Sequence, residues 1–377
     1  MKTLFYGFIL TFIVVKGDEP PCKNPSLSSV SGDSVKNKSP CSGDLIFDED
    51  FDSFDLSRWQ HEITLSGGGN WEFQYYANNR SNSYVENGTL HIRPTLLSDD
   101  FGEKFLWSGT LDLNAGTLAD ACTDPSFYGC VRAGTGLNFL NPVRSARIRT
   151  AESFSFRYGR VKFRARTPSG DWLWPAVWLM PRYSVYGKWP SSGEIDLLEA
   201  RGNRNLTNTQ GTNVGTQQIS NTLHWGPYNE ANRWSKTHFE YNDPKGFNTD
   251  FHDYEFIWTP SYITFNVDGE EIGSVTPPSG GFWELGGFDS ATTDNPWKGA
   301  SNMAPFDQEF YIIINLAVGG ISFFDDSFVN QGGKPWSNKS PVAFRDFWRK
   351  KEQWLPTWNM TDDSTHLVLD YIKVFAL

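Results

Sequence analysis

Short apolar and aromatic runs separated by turn residues recur along this chain, and they constrain its fold more than any other feature. The runs at 89–92, 159–165, 254–258, 262–267, 310–316 and 367–374 are rich in β-branched and aromatic residues. Several alternate with the period of two that sends successive side chains to opposite faces of a strand, and others are continuously apolar, as strands covered on both faces are. Val267-Asp268-Gly269-Glu270-Glu271-Ile272 carries the Asp-Gly pair of a tight hairpin. No long stretch repeats with a helical period. Many short strands and turns predict an all-β fold, a jelly-roll sandwich of two antiparallel sheets. Strands continue to the final residues, so one domain from 43 to 377 is expected. Segments 95–145 and 275–345 are rich in Gly, Pro, Asn and Asp. Loops that long are usually functional, and these are expected to wall a cleft.

Two shorter regions precede that domain. Residues 4–15 form an apolar run between Lys2 and Lys16, too short to span a bilayer and placed as the core of a signal peptide covering 1–17. Residues 18–42 are polar and read as an irregular N-terminal arm. The four cysteines fit export. Three pairings are open to them, and proximity favours Cys22 with Cys41 and Cys122 with Cys130. Sequons at Asn37, Asn79, Asn87, Asn205, Asn338 and Asn359 also agree with secretion. The net charge of −11 argues against nucleic acid or an anionic membrane as partner, and suits a neutral polymer. No zinc-type Cys/His spacing, phosphate-binding Gly loop or Gly-x-Ser-x-Gly elbow occurs.

The chemistry concentrates in Gly193-Glu194-Ile195-Asp196-Leu197-Leu198-Glu199-Ala200, which sets three acids in an apolar strand. Residues two apart share a face, so Glu194 and Asp196 point one way and Ile195 and Leu197 the other. Glu199 would point inward unless one extra residue at Leu197-Leu198, a β-bulge, restores the shared face. The outer acids would then stand roughly 13 Å apart at the backbone. A retaining glycosidase holds its carboxyls about 5–5.5 Å apart, so two long acids must lean in over a shorter one on a concave sheet, the order Glu-Asp-Glu. A plain solvent-facing strand would more naturally alternate charge signs.

Trp172, Trp174, Trp178 and Trp189 lie just upstream of this trio. Packing in the core is one reading of them. Alternation, however, puts Trp174 and Trp178 on one face, where indoles offer flat platforms to the C–H faces of pyranose rings. Trp189 is placed at the lip beside the acid strand. His224, after an alternating run, is either structural or part of the site. Asn315 lies in an apolar strand and is either a buried polar group with protein partners or a sugar contact. Asn82, Arg144 and Arg149 are similar candidates.

From Ser42 to the C-terminus the chain resembles glycoside hydrolase family 16, on its laminarinase side. That branch includes invertebrate β-1,3-glucanases and the related β-1,3-glucan recognition proteins. The resemblance rests on Phe47-Asp48-Glu49-Asp50-Phe51, Trp59, Tyr158-Gly159-Arg160-Val161, Leu173-Trp174-Pro175-Ala176-Val177-Trp178, the acid motif, His224-Trp225 and Asp370-Tyr371-Ile372-Lys373-Val374. It implies a concanavalin A-like jelly roll, a β-1,3-glucan substrate, no required cofactor and a monomer. Within the family the bulged acid motif goes with β-1,3-glucan and the regular one with lichenases.

Carried over by position, Glu194 is the nucleophile and Glu199 the acid/base. Asp196 holds Glu194 by a hydrogen bond. Trp178 and Trp189 line the subsites on one side, His224 lies near the acid/base, and Asn82 and Asn315 contact sugar. Some members bind a structural Ca2+ through an acid matching Asp370. Many glucan-recognition relatives carry an added N-terminal glucan-binding domain and have lost the catalytic acids. Here only some two dozen residues precede the catalytic resemblance, and all three acids are kept. The implied activity is a secreted, retaining endo-β-1,3-glucanase; a non-catalytic glucan sensor and a transglycosylase are the competing readings.

Overall fold

The computed structural model describes residues 22–114, 120–136 and 138–377; the expected signal peptide lies outside them. Two large antiparallel sheets pack face to face as the predicted sandwich. The first has nine strands. Its main path runs Ser29–Ser31, Ser155–Arg157, Phe310–Val318, Leu173–Pro181, Glu194–Ala200, Gln218–His224 and His238–Asn242. Arg147–Arg149 also pairs with Phe310–Val318, and Gln60–His61 pairs with Arg147–Arg149. The second sheet has eight strands, with Gly159–Arg166 central between His252–Trp258 and Leu367–Phe375.

The core lies between the sheets, and alternation builds it. In Leu173–Pro181 the residues Leu173, Val177 and Leu179 are buried, and they meet Phe163, Phe256, Phe265 and Ile372 of the other sheet in one apolar cluster. Trp258 ties the layers, with its ring 5.5 Å from Phe310 and its Nε1 donating to the Phe306 carbonyl at 2.9 Å. Area removed from water at this interface is the main stabilising contribution, at roughly 25 cal/mol per Å2 of apolar surface.

The Asp-Gly hairpin forms as expected. Asp268 and Gly269 both take positive φ, 52° and 86°, the turn that matches the twist of Ile263–Val267 and Glu270–Val275. Both disulfides form, Cys22–Cys41 and Cys122–Cys130, as proximity predicts.

Two expectations change, and one open reading is decided. The arm is not wholly irregular, because Ser29–Ser31 pairs with Ser155–Arg157 and extends the first sheet at its edge. Segment 95–145 is not a plain loop. It holds two short helices, Leu97–Phe101 and Phe105–Ser108, and contributes to a small sheet of Gln74–Tyr76, Val143–Ser145 and Thr95–Leu96. Trp172 belongs to the core. It enters the strand with φ 70°, which breaks the alternation, and its ring is buried against Phe324 and Trp336. Among the described residues no helix is long and apolar enough to cross a membrane.

Candidate active site

The acid strand is entered through Gly193, whose φ of 82° suits glycine and where a Cβ would come 2.9 Å from the Phe306 ring. Along the next strand Glu194 pairs with His224, Asp196 with Thr222 and Glu199 with Ser220. Leu197 and Leu198 therefore oppose the single residue Asn221, which is the predicted bulge. On the other side Val177 faces Leu198 and Trp178 faces Asp196, so Leu197 is the inserted residue. Asn221, buried, donates its amide to the Leu197 carbonyl and satisfies the group that the bulge removes from the ladder. With the bulge in place Ile195, Leu197 and Leu198 are buried, while Glu194 and Glu199 are partly open to solvent. Asp196 lies deeper, 3% exposed.

Each outer acid accepts an indole N–H. Trp189 Nε1 donates to Glu194 Oε2 at 2.9 Å, and Trp174 Nε1 donates to Glu199 Oε1 at 3.0 Å. Trp189 is 40% exposed, at the lip as expected. Trp174 is stacked on Phe323 with centroids 4.2 Å apart, so a residue of the 275–345 segment does line the site. Trp178 is half-buried on the same face. Its N–H goes to Asn315 Oδ1 at 2.7 Å, and the Arg147 guanidinium lies 5.3 Å from its ring centroid. Arg147 is itself buried between Glu62 at 3.3 Å and Glu72 at 3.5 Å.

His224 is oriented by a residue the sequence reading did not single out. Asn232 Oδ1 accepts from the backbone N–H groups of Trp225 (3.2 Å) and Trp234 (3.1 Å), which fixes the amide. Its Nδ2 then faces His224 Nδ1 at 2.9 Å as a donor. In the neutral ring Nδ1 is thus the acceptor, and the hydrogen sits on Nε2. Nε2 points at Asp196 Oδ2, 3.3 Å away, and Glu194 Oε1, 3.8 Å away.

Burial pushes Glu194 and Asp196 up to about 8 and Glu199 up to about 7. The neighbouring charge of Asp196 adds to the shift of both glutamates, while His224 and the indole donors oppose it. Groups this close share their protons as one unit. The physical meaning is that the trio does not hold three negative charges near neutral pH, and a proton remains available for transfer.

Glu194, Asp196 and His224 also bring three metal-capable atoms within 4.8 Å of one another. A metal on His224 Nε2 would move the ring hydrogen to Nδ1, where it would meet the Asn232 NH2 group. Metal-bound histidines instead donate that hydrogen to an acceptor. The surroundings suit a proton donor.

The family described as glycosyl hydrolases family 16 matches residues 130–282. The beta-1,3-glucan-binding protein of Penaeus monodon is 48% identical over 345 residues, which are 90% of this chain and 91% of that protein. The chain belongs to glycosyl hydrolase family 16. Beta-1,3-glucan-binding protein 1 of Galleria mellonella is 35% identical over 89% of this chain, which spans only 64% of that relative's length. Among solved structures, the laminarinase from Rhodothermus marinus superposes with a TM-score of 0.54 at 25% identity, covering 89% of this chain and 98% of that one.

Within the family-16 frame, several residue assignments need correction. His224 stands opposite Glu194 in the ladder, 3.3 Å from Asp196 and 3.8 Å from Glu194, and its charge also acts on Glu199. No hydrogen bond joins Asp196 to Glu194 among the described residues; Asp196 Oδ2 is buried without a hydrogen-bond partner, and His224 is its near neighbour. Asn315 contacts protein in place of sugar. It is 3% exposed, spans Trp178 Nε1 and the Tyr76 hydroxyl, and so positions the Trp178 ring.

Asn82 is fully buried away from the acids. It donates to the carbonyls of Arg93 and Arg144 and to Thr95 Oγ1, and accepts from Arg144 Nε. Arg144 is spent on Asn82 and Asp100, and Arg149 on Gln60 and Glu62. Asp370 is half-buried and lies 3.7 Å from Arg164, which is also 3.8 Å from Asp253.

Proposed function

We propose that this protein is a secreted, retaining endo-hydrolase of β-1,3-glucan. The observation that carries the reading is the complete acid trio on a bulged strand, with Glu194 and Glu199 each reachable from solvent and each held by an indole N–H. The two disulfides support an oxidising compartment. Relatives that are beta-1,3-glucan-binding proteins support glucan as the ligand.

In this reading Glu194 attacks the anomeric carbon as the carboxylate. Glu199 gives its proton to the departing glycosidic oxygen, the C–O bond breaks, and a glycosyl ester of Glu194 forms. Water then loses a proton to Glu199 and displaces Glu194, which restores both acids and retains the configuration. Glu194 accepts the Trp189 indole N–H and Glu199 the Trp174 indole N–H, while His224 Nε2 lies 3.8 Å from Glu194, too far for a hydrogen bond. The trio shares its protons, and the state that reacts is the one with the charge on Glu194 and the proton on Glu199. Once Glu194 is esterified its charge is gone, and Glu199 can act as base. No step needs a cofactor.

The names of the relatives favour a second reading, glucan binding without turnover. Incubation with laminarin and measurement of new reducing ends separates the two. Turnover that disappears in both Glu194→Gln and Glu199→Gln supports the hydrolase; tight binding with no reducing ends from the native protein sinks it. Formation of longer oligosaccharides at high substrate concentration would identify transglycosylation.

A further inference from the structure

The loop closed by Cys122–Cys130 carries two bulky aromatics in the left-handed backbone region, Phe127 at φ 53° and Tyr128 at φ 60°. Trp71, whose ring lies beside that of Phe127 from another loop, is also left-handed at φ 51°. All three are exposed, Trp71 by 45%, Phe127 by 56% and Tyr128 by 81%. Left-handed backbone is unfavourable for a bulky residue and persists only where the surroundings impose it. An aromatic ring left in water recovers none of that cost by burial.

The surroundings do impose it. Arg132 donates to the carbonyls of Leu65 and Phe127 and to Asn141 Oδ1. The Leu65 N–H bonds the Gly129 carbonyl at 2.8 Å, and Thr123 N–H bonds that of Ile63 at 2.9 Å. The rings of Trp71 and Phe127 lie 5.1 Å apart, so the two loops present one aromatic surface.

That surface connects to the acid site by adjacent residues. Asn70, next to Trp71, accepts from Ile321 N–H at its carbonyl and from Ser322 Oγ at its side chain. Phe323 follows and stacks on Trp174, whose indole holds Glu199.

We propose that Trp71, Phe127 and Tyr128 form a second carbohydrate platform, outside the acid site, which takes pyranose faces of a long β-1,3-glucan chain that also occupies the acids. The three residues carry no formal charge, which suits a neutral chain, and flat apolar rings match the C–H faces of sugars. This rests on the glucan reading above. It makes affinity depend on chain length, because one chain must occupy the acids and the platform together.

The test uses Trp71→Gly combined with Phe127→Gly, and separately Tyr128→Ser. Dissociation constants are measured for long-chain laminarin and for laminaritriose. Glycine adopts left-handed backbone freely, so the double variant is expected to keep its melting temperature. Its affinity for laminarin should fall roughly tenfold, with laminaritriose unchanged. Tyr128→Ser, at the most exposed position, should show the same pattern more weakly. Laminarin affinity equal to that of the native protein in both variants would overturn the platform. Failure of the native protein to bind either ligand is a different result, and would overturn the glucan reading beneath it.

Discussion

The outer faces of the two sheets are built from the same alternating strands yet handle charge in opposite ways. On the eight-stranded sheet, acids face cations across the ladder. Lys162 and Arg160 meet Glu255, Arg164 lies between Asp253 and Asp370, and Lys373 pairs with Asp48 and Asp50. On the nine-stranded sheet three acids stand together with indoles and one histidine as partners. Paired charges on an open surface are cheap and nearly neutral in effect. Like charges drawn together into partial burial raise one another's proton affinity, which costs stability and suits proton transfer. The contrast separates a face that only needs to stay soluble from one arranged for chemistry.

The largest effect that can break this contrast is on turnover. Glu194→Gln and Glu199→Gln are each expected to lower kcat on laminarin by about 10³-fold or more. Glu255→Gln on the opposite face should leave kcat unchanged. Equal losses on the two faces would show that stability, not chemistry, is being read.

Asp196→Asn should lower kcat less, by about 10–100-fold, while stabilising the fold at high pH. The sign follows from linkage. Burial raises Asp196 from its ordinary 3.8 to about 8, so between those values the folded protein keeps a proton that the unfolded chain has lost. Stability therefore falls as pH rises through that window. Asparagine has no such term, so the variant should melt several degrees higher than the native protein at pH 8 and with no such advantage at pH 4. A melting difference independent of pH would remove the assigned burial cost.

Asn232→Asp replaces the amide that faces His224 Nδ1 with an acceptor, and should move the ring hydrogen from Nε2 to Nδ1 or protonate both nitrogens. Long-range 1H–15N NMR of the imidazole reads this directly, and the pH profile of kcat should change with it. An unchanged Nε2–H pattern contradicts the positioning role. Trp174→Phe removes one donor to Glu199, and its basic limb should move up by roughly 0.5–1 pH unit. The smallest effect belongs to the other face, where Glu255→Gln should cost only about 0.2–1 kcal/mol in denaturant unfolding.

Much of the acid face was legible because it obeys a period of two. Glu194, Asp196 and Glu199 share a face only with one inserted residue, and the ladder shows that insertion at Leu197. Trp174 and Trp178 follow from the same alternation. Asn82 and Asn315 did not follow, since an asparagine among apolar residues looks the same whether it satisfies protein groups or waits for a ligand, and only three-dimensional partners decide. Asn221 and Asn232 were missed for the same reason, as their partners are backbone groups that sequence does not display. The core place of Trp172 was one of two open readings, which alternation could not separate because it fails where φ turns positive. Ser29–Ser31 is a three-residue edge strand with little hydrophobic signal, and the helices are too short to show a period.

The central claim is that the acid trio performs double displacement on β-1,3-glucan. The most direct test follows the anomeric 1H NMR signals of new reducing ends while laminarin is incubated with the native protein. The account predicts that the β-anomer appears first and mutarotates to the equilibrium mixture. First appearance of the α-anomer would contradict the roles given to Glu194 and Glu199, and saturable binding with no new anomeric signal would contradict hydrolysis itself.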